Sequence, residues 1–151
     1  MIRSIATDIE CFENLFSATF VDVQDYLKVF KDCEGMALTE CLSVAEIESR
    51  LESVKSKIFY ISDTDDSQLL KLVSYINSME AYFDEDGNPV RYDVFGYNNQ
   101  GYDDMMFKAF MMYFNRFDTT KELCHKLKEL NDKLISLQDD KDALWKDREL
   151  D

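Results

Sequence analysis

The apolar positions near the start of the chain fall into short runs of strand type. In residues 2–10, Ile5, Thr7 and Ile9 alternate only loosely with Ala6, Asp8 and Glu10, which predicts a strand covered on both faces. Leu15 to Val21 predicts a second strand and Asp22 to Asp25 a turn. Tyr26 to Phe30 then predicts a third strand, completing an antiparallel meander. Thr39 to Lys57 has helical spacing, with Leu42, Ala45, Ile47, Leu51 and Val54 on its apolar face. Ile58 to Ile61 is a short apolar run that suits a strand or a loop edge.

Farther on, Asp65 or Asp66 is placed to cap a helix carrying Leu69, Leu70, Leu72, Val73 and Ile76. Asp84 to Pro89 is a dense turn signal, and Val90 to Tyr97 reads as a strand. Asp103 to Phe114 reads as a buried helix. From Thr119 the pattern changes. Leu123, Leu127, Leu130, Leu134, Leu137 and Leu144 recur at heptad-like steps, with Lys141 filling one seam position. That predicts a long charged helix or helical hairpin that packs back on the domain or meets another chain. A meander followed by alternating helices and strands suggests an α/β domain with a mixed sheet over residues 1–118, and a helical extension over 119–151.

Composition agrees with a folded domain. The chain has 151 residues, 46% hydrophobic and 13% aromatic, enough for a core without disulfide staples. One proline and four glycines argue against a disordered linker. No apolar run is long enough to span a bilayer, and the start meets Asp8 too early for a signal peptide. The expected compartment is the cytoplasm. Cys11, Cys33, Cys41 and Cys124 include no Cys-x-x-Cys pair, and His125 is the one histidine, so free thiols are expected rather than a zinc site.

The net charge of −14 is wrong for a broad basic face that grips nucleic acid. It leaves a compact site open, because charges beyond a Debye length of about 8 Å are largely screened.

Two clusters carry candidate chemistry. Asp8 and Glu10 are separated by one residue on the first strand and so share a face. Carboxylates about 4 Å apart repel by about 4 kcal/mol at an effective dielectric of about 20. A divalent cation between them, or a proton on one, removes that repulsion; a solvated strand edge is the plainer reading. The second cluster, Gly96 to Asp104, sits where a strand ends and a helix begins. Asp103 there suits the helix N-terminus, and an ordinary cap is the plainer reading.

Together, Asp8-Ile9-Glu10 and Asn99-Gln100-Gly101-Tyr102-Asp103 resemble the first two motifs of the proofreading 3′–5′ exonucleases of family B DNA polymerases. These are ribonuclease H-like domains of the DEDD nuclease superfamily, and the likeness is greatest to phage-type polymerases and related phage exonucleases. It covers about the first 115 residues. The resemblance implies a two-metal Mg²⁺ or Mn²⁺ site held by Asp8, Glu10 and Asp103, which would also be the catalytic residues. It implies that Asn99 and Tyr102 bind the 3′-terminal nucleotide of single-stranded DNA. The family's third motif, Tyr-x-x-x-Asp or His-x-x-x-x-Asp, is missing. Tyr82 and Asp86 have the first spacing but precede the second motif, and His125 meets Leu130 where the acid should stand. The fold is then expected to be an incomplete exonuclease domain: part of a longer polymerase, half of a split protein docking through its C-terminal helix, or an inactive relative kept for interaction. For a phage protein the implied location is the bacterial host cytoplasm or the virion.

Overall fold

A computed structural model describes residues 1–96 and 102–137. Strands β1 (Ile2–Phe12), β2 (Leu15–Asp22), β3 (Ser56–Ser62), β4 (Tyr82–Phe83) and β5 (Pro89–Gly96) form one sheet in the order β3-β2-β1-β5-β4. β1 to β3 pair antiparallel, while β5 runs parallel to β1 on its other side. The domain is therefore α/β with a mixed sheet.

Helices α1 (Val23–Val29), α2 (Leu38–Cys41), α3 (Val44–Leu51), α4 (Leu69–Asn77), α5 (Asp104–Tyr113) and α6 (Thr120–Ser136) complete the fold. Among the described residues none is long and apolar enough to cross a membrane.

The sheet is buried on one face. Ile5 and Ile9 point into the core with Phe16, Ala18, Phe20 and Ile61, against Leu72 of α4, Phe110 of α5 and the leucines of α6. Phe16 and Phe110 stack with centroids 5.3 Å apart. Asp8 and Glu10 are exposed, as are their cross-sheet neighbours Ile58 and Tyr60. The expectation of a first strand covered on both faces is thus corrected: its alternation marks a half-buried strand. The outer edge of β3 is blunted locally, since Gln68 Oε1 accepts the Tyr60 N–H at 2.8 Å and the Asp65 carbonyl accepts the Ser62 N–H at 3.0 Å. Occupied edge groups leave less template for a foreign strand.

The third strand expected at Tyr26–Phe30 is a helix. Asp22 caps it by accepting the Gln24 N–H at 2.8 Å. Val23, Tyr26, Leu27 and Phe30 then share one side at helical spacing, and the rings of Tyr26 and Phe30 lie 4.9 Å apart. The strand in that sheet position is β3, where the Ile58–Ile61 run lies. The single helix expected over Thr39–Lys57 is also broken. Ser43 and Glu46 form a reciprocal capping box that starts α3 afresh, with Leu42 extended between the two short helices. Neither Asp65 nor Asp66 caps α4 through its side chain. Asp65 instead accepts from the Ser67 N–H at 2.9 Å, and Gln68 precedes the helix.

The expectation of free thiols fails for one pair. The short 3₁₀ turn Lys31–Cys33 and α2 bring the Cα atoms of Cys33 and Cys41 to 5.9 Å, and the two form a disulfide. Asp32, next to that bridge, takes a bidentate pair of bonds from Arg50 at 2.6 and 3.0 Å. Cys11 and Cys124 are free.

The heptad-like leucines pack back. Leu123, Leu127, Leu130 and Leu134 are all buried in the same core as the sheet, after a capping box between Thr119 and Glu122 starts α6. Leu144 lies outside the described residues.

Candidate active site

Parallel pairing of β1 with β5 puts the carboxyl ends of both strands at one end of the sheet. The last paired residues are Thr7 and Gly96. Asp8 and Glu10 continue β1 beyond that point, and the chain leaving β5 returns at Tyr102 and Asp103 to enter α5. Groups that follow neighbouring parallel strands converge beyond their carboxyl ends, the usual place for a ligand in an open α/β sheet.

Asp8 lies opposite Thr19 and Glu10 opposite Ser17, so both project from the solvent-exposed sheet face. Asp103 differs: only 3% of its surface is exposed. It directly precedes α5 yet makes no capping bond to it, so the plain reading of this acid as a helix cap does not hold. Tyr102 and Asp103 lie in a wide π-type turn, a local form often found at functional sites. Asn99 lies outside the described residues.

Tyr102 reports how these groups sit relative to one another. Its hydroxyl is pushed well above the usual tyrosine range, first by burial and then by the negative charge of Cys11, Glu10, Asp103 and Asp8. The acids of both motifs therefore act on one phenol. At neutral pH Tyr102 is a hydrogen-bond donor, and it donates to Oδ1 of the buried Asn131 on α6 at 2.6 Å. Asn131 Nδ2 in turn donates to Asp132 at 3.0 Å, and Lys128 pairs with the same carboxylate. Those two partners hold the Asp132 carboxyl below its ordinary range. Cys11, beside Glu10 on β1, has its thiol pushed up to about 12, chiefly by burial; Lys128 opposes the shift, while Cys124 and Asp132 add to it.

This α6 contribution of Lys128, Asn131 and Asp132 was not anticipated from the sequence. A signal was present, because Asn131 falls on the apolar stripe between Leu127, Leu130 and Leu134. A polar residue on such a stripe needs a buried partner; here that partner is Tyr102.

Carboxylate oxygens are the ligand type that Mg²⁺ and Mn²⁺ prefer. In this arrangement, however, no three acidic, histidine or cysteine side chains among the described residues stand close enough to hold an ion together. Asp8 and Glu10 share a face, and Asp103 is not gathered with them into a ligand set. The donor chemistry suits a divalent cation, and the ligand geometry as it stands does not. No family model, curated protein or solved structure matches the chain.

Proposed function

We propose that this chain carries the core of a metal-dependent 3′–5′ exonuclease of the proofreading type, belonging to a phage-like DNA polymerase or a related nuclease, with an incomplete site. The observation that carries the reading is the approach of both acidic motifs to Tyr102, at the carboxyl ends of β1 and β5. The sheet supports it as well. Three antiparallel strands, with a later strand parallel to the first on its far side, are the arrangement that a ribonuclease H-like domain calls for.

In this reading Asp8, Glu10 and Asp103 serve the metal site, and Asn99 and Tyr102 receive the 3′-terminal nucleotide of single-stranded DNA. Bound Mg²⁺ or Mn²⁺ would supply an activated water and neutralise charge on the phosphate. The residues described here supply too few gathered ligands for that site to be complete, so a further acidic group must join them.

The test is calorimetric titration with Mn²⁺, together with degradation of a 3′-labelled single-stranded oligonucleotide on the same sample. Binding that disappears in Asp8→Ala and Asp103→Ala supports the reading, and degradation in addition means that the missing ligand is present. An unchanged Mn²⁺ affinity in both variants sinks the site assignment. One observation favours a second reading, an inactive exonuclease-like interaction or virion protein: Asp132, the α6 acid whose ionic partner Lys128 also acts on Cys11, is already bonded to Lys128 and Asn131. Absence of any Mn²⁺ binding would select that reading.

A further inference from the structure

At the opposite end of β1 from the carboxylate pair lies a cleft of about 510 Å³. It opens between the buried face of the sheet and the C-terminal end of α4, and Arg3, Lys55, Lys57, Tyr75 and Tyr92 line it. Arg3 and Asp8 are five residues apart in a strand, which places the cleft roughly 17 Å from the proposed metal site.

The cleft's charge stands out against the rest of the chain, which has 31 acidic and 17 basic residues. Ion pairs take up Lys28, Arg50, Lys126 and Lys128. Among the described residues none of Arg3, Lys55 and Lys57 pairs with a carboxylate. Two acids also line the cleft, and both are engaged: Asp22 caps α1 through the Gln24 N–H, and Asp25 pairs with Lys28 at 3.9 Å. The negative end of α4 is muted too, because the Ser78 N–H bonds the carbonyls of Ser74, Tyr75 and Ile76. Three cations therefore face a space large enough for a small ligand.

The aromatic groups narrow the ligand class. Lys57 sits over the Tyr75 ring at 4.5 Å, and Arg3 bonds the Tyr92 hydroxyl. Both rings are half-buried, so each is fixed with part of its surface open to the cleft. The basic strip continues past Lys57 to Lys71 in an adjoining depression that shares Lys57 and Tyr75. Cations beside fixed aromatic rings suit a ligand that joins a phosphate to a flat base.

We propose that this cleft binds a nucleotide unit, with Arg3, Lys55 and Lys57 on the phosphate and a tyrosine ring against the base. The unit comes either from a free nucleotide or from a single strand lying along the Lys57–Lys71 strip. This site does not depend on the metal-site reading.

The test is calorimetry on the whole chain in EDTA, where metal-dependent binding at Asp8 and Glu10 is silent. The probes are inorganic phosphate, a purine mononucleotide and a short single-stranded oligonucleotide. The mononucleotide is expected to bind more tightly than phosphate. The double variant Lys55→Glu/Lys57→Glu is expected to weaken it by about tenfold or more, while Lys121→Glu on α6 leaves it unchanged. Both lysines are exposed, so the variant should keep the wild-type circular dichroism and thermal midpoint. An oligonucleotide that binds more tightly than the mononucleotide, with a steeper salt dependence, identifies a strand as the source; equal affinities identify the free nucleotide. No binding of any probe overturns the proposal, as does equal binding by the double variant or phosphate binding as tightly as the nucleotide.

Discussion

The Tyr102 hydroxyl donates to Oδ1 of Asn131 at 2.6 Å, joining the turn before α5 to the middle of α6. Asn131 is 4% exposed, so this bond satisfies an amide that water does not reach. Tyr102→Phe should destabilise the fold by about 1–3 kcal/mol, because it leaves that oxygen buried without its donor. Asn131→Leu should cost comparably alone and less in the Tyr102→Phe background, where no hydroxyl is stranded. A double-mutant cycle on urea midpoints measures the coupling. Strictly additive effects would mean that the bond contributes nothing.

A second prediction concerns α6 as part of the core. Leu127 is fully buried, while Ile135 on the same helix is 54% exposed. Leu127→Ala should lose about 2–5 kcal/mol, since removing a buried side chain costs both its transfer energy and a cavity. Ile135→Ala should stay within about 0.5 kcal/mol. Urea denaturation of the two variants decides it. Equal small losses would show that α6 is not integral to the folded unit.

The same helix shows where the sequence was informative. Regular spacing from Leu123 to Leu134 announced a helix with one apolar side, and the core absorbed that side. The strand ending at Gly96 and the helix after Asp103 were likewise legible, because a turn signal at Asp84 and an acidic helix start bounded them. Segments of weak or mixed periodicity were not. Tyr26 to Phe30 is short enough to suit either period, and the Asp22 cap decides for helix. The break at Leu42 depends on Ser43 and Glu46 bonding each other, a local preference that a general apolar spacing hides. The acids of the site were visible as motifs. Their setting was not, because the burial of Asp103 and the anchoring of Tyr102 by Asn131 depend on residues far apart in the chain.

Cysteine labelling gives a third prediction. Burial pushes the thiols of Cys11 and Cys124 up to about 12 and about 11, so at neutral pH both remain protonated and react slowly. Cys33 and Cys41 are joined and should not react at all before reduction. Iodoacetamide at neutral pH under native, non-reducing conditions should therefore leave the chain largely unmodified. Raising the pH should speed labelling at Cys11 and Cys124, because the thiolate fraction grows toward their raised pKa values. Reduction should add labels at Cys33 and Cys41, read by peptide mass spectrometry. Labels at these two without reductant would refute the bridge.

The last prediction separates stability from metal binding at the carboxylate pair. Asp8 and Glu10 are exposed, so Asp8→Asn and Glu10→Gln should change stability in EDTA by no more than about 0.5 kcal/mol. The sign should be stabilising, because each removes one of two like charges that share a strand face. Metal reverses the comparison. At about a hundredfold excess over Kd a bound ion adds about 2.7 kcal/mol to the folded state. For a domain of this size that raises Tm by roughly 5–10 °C. Wild type should show such a rise with Mn²⁺, and the double variant Asp8→Asn/Glu10→Gln should show none. A rise that survives in the double variant would place the ion elsewhere. If wild type gives no rise at Mn²⁺ concentrations that saturate ordinary carboxylate sites, the pair does not hold a metal in this chain, and its two acids are a solvated strand end.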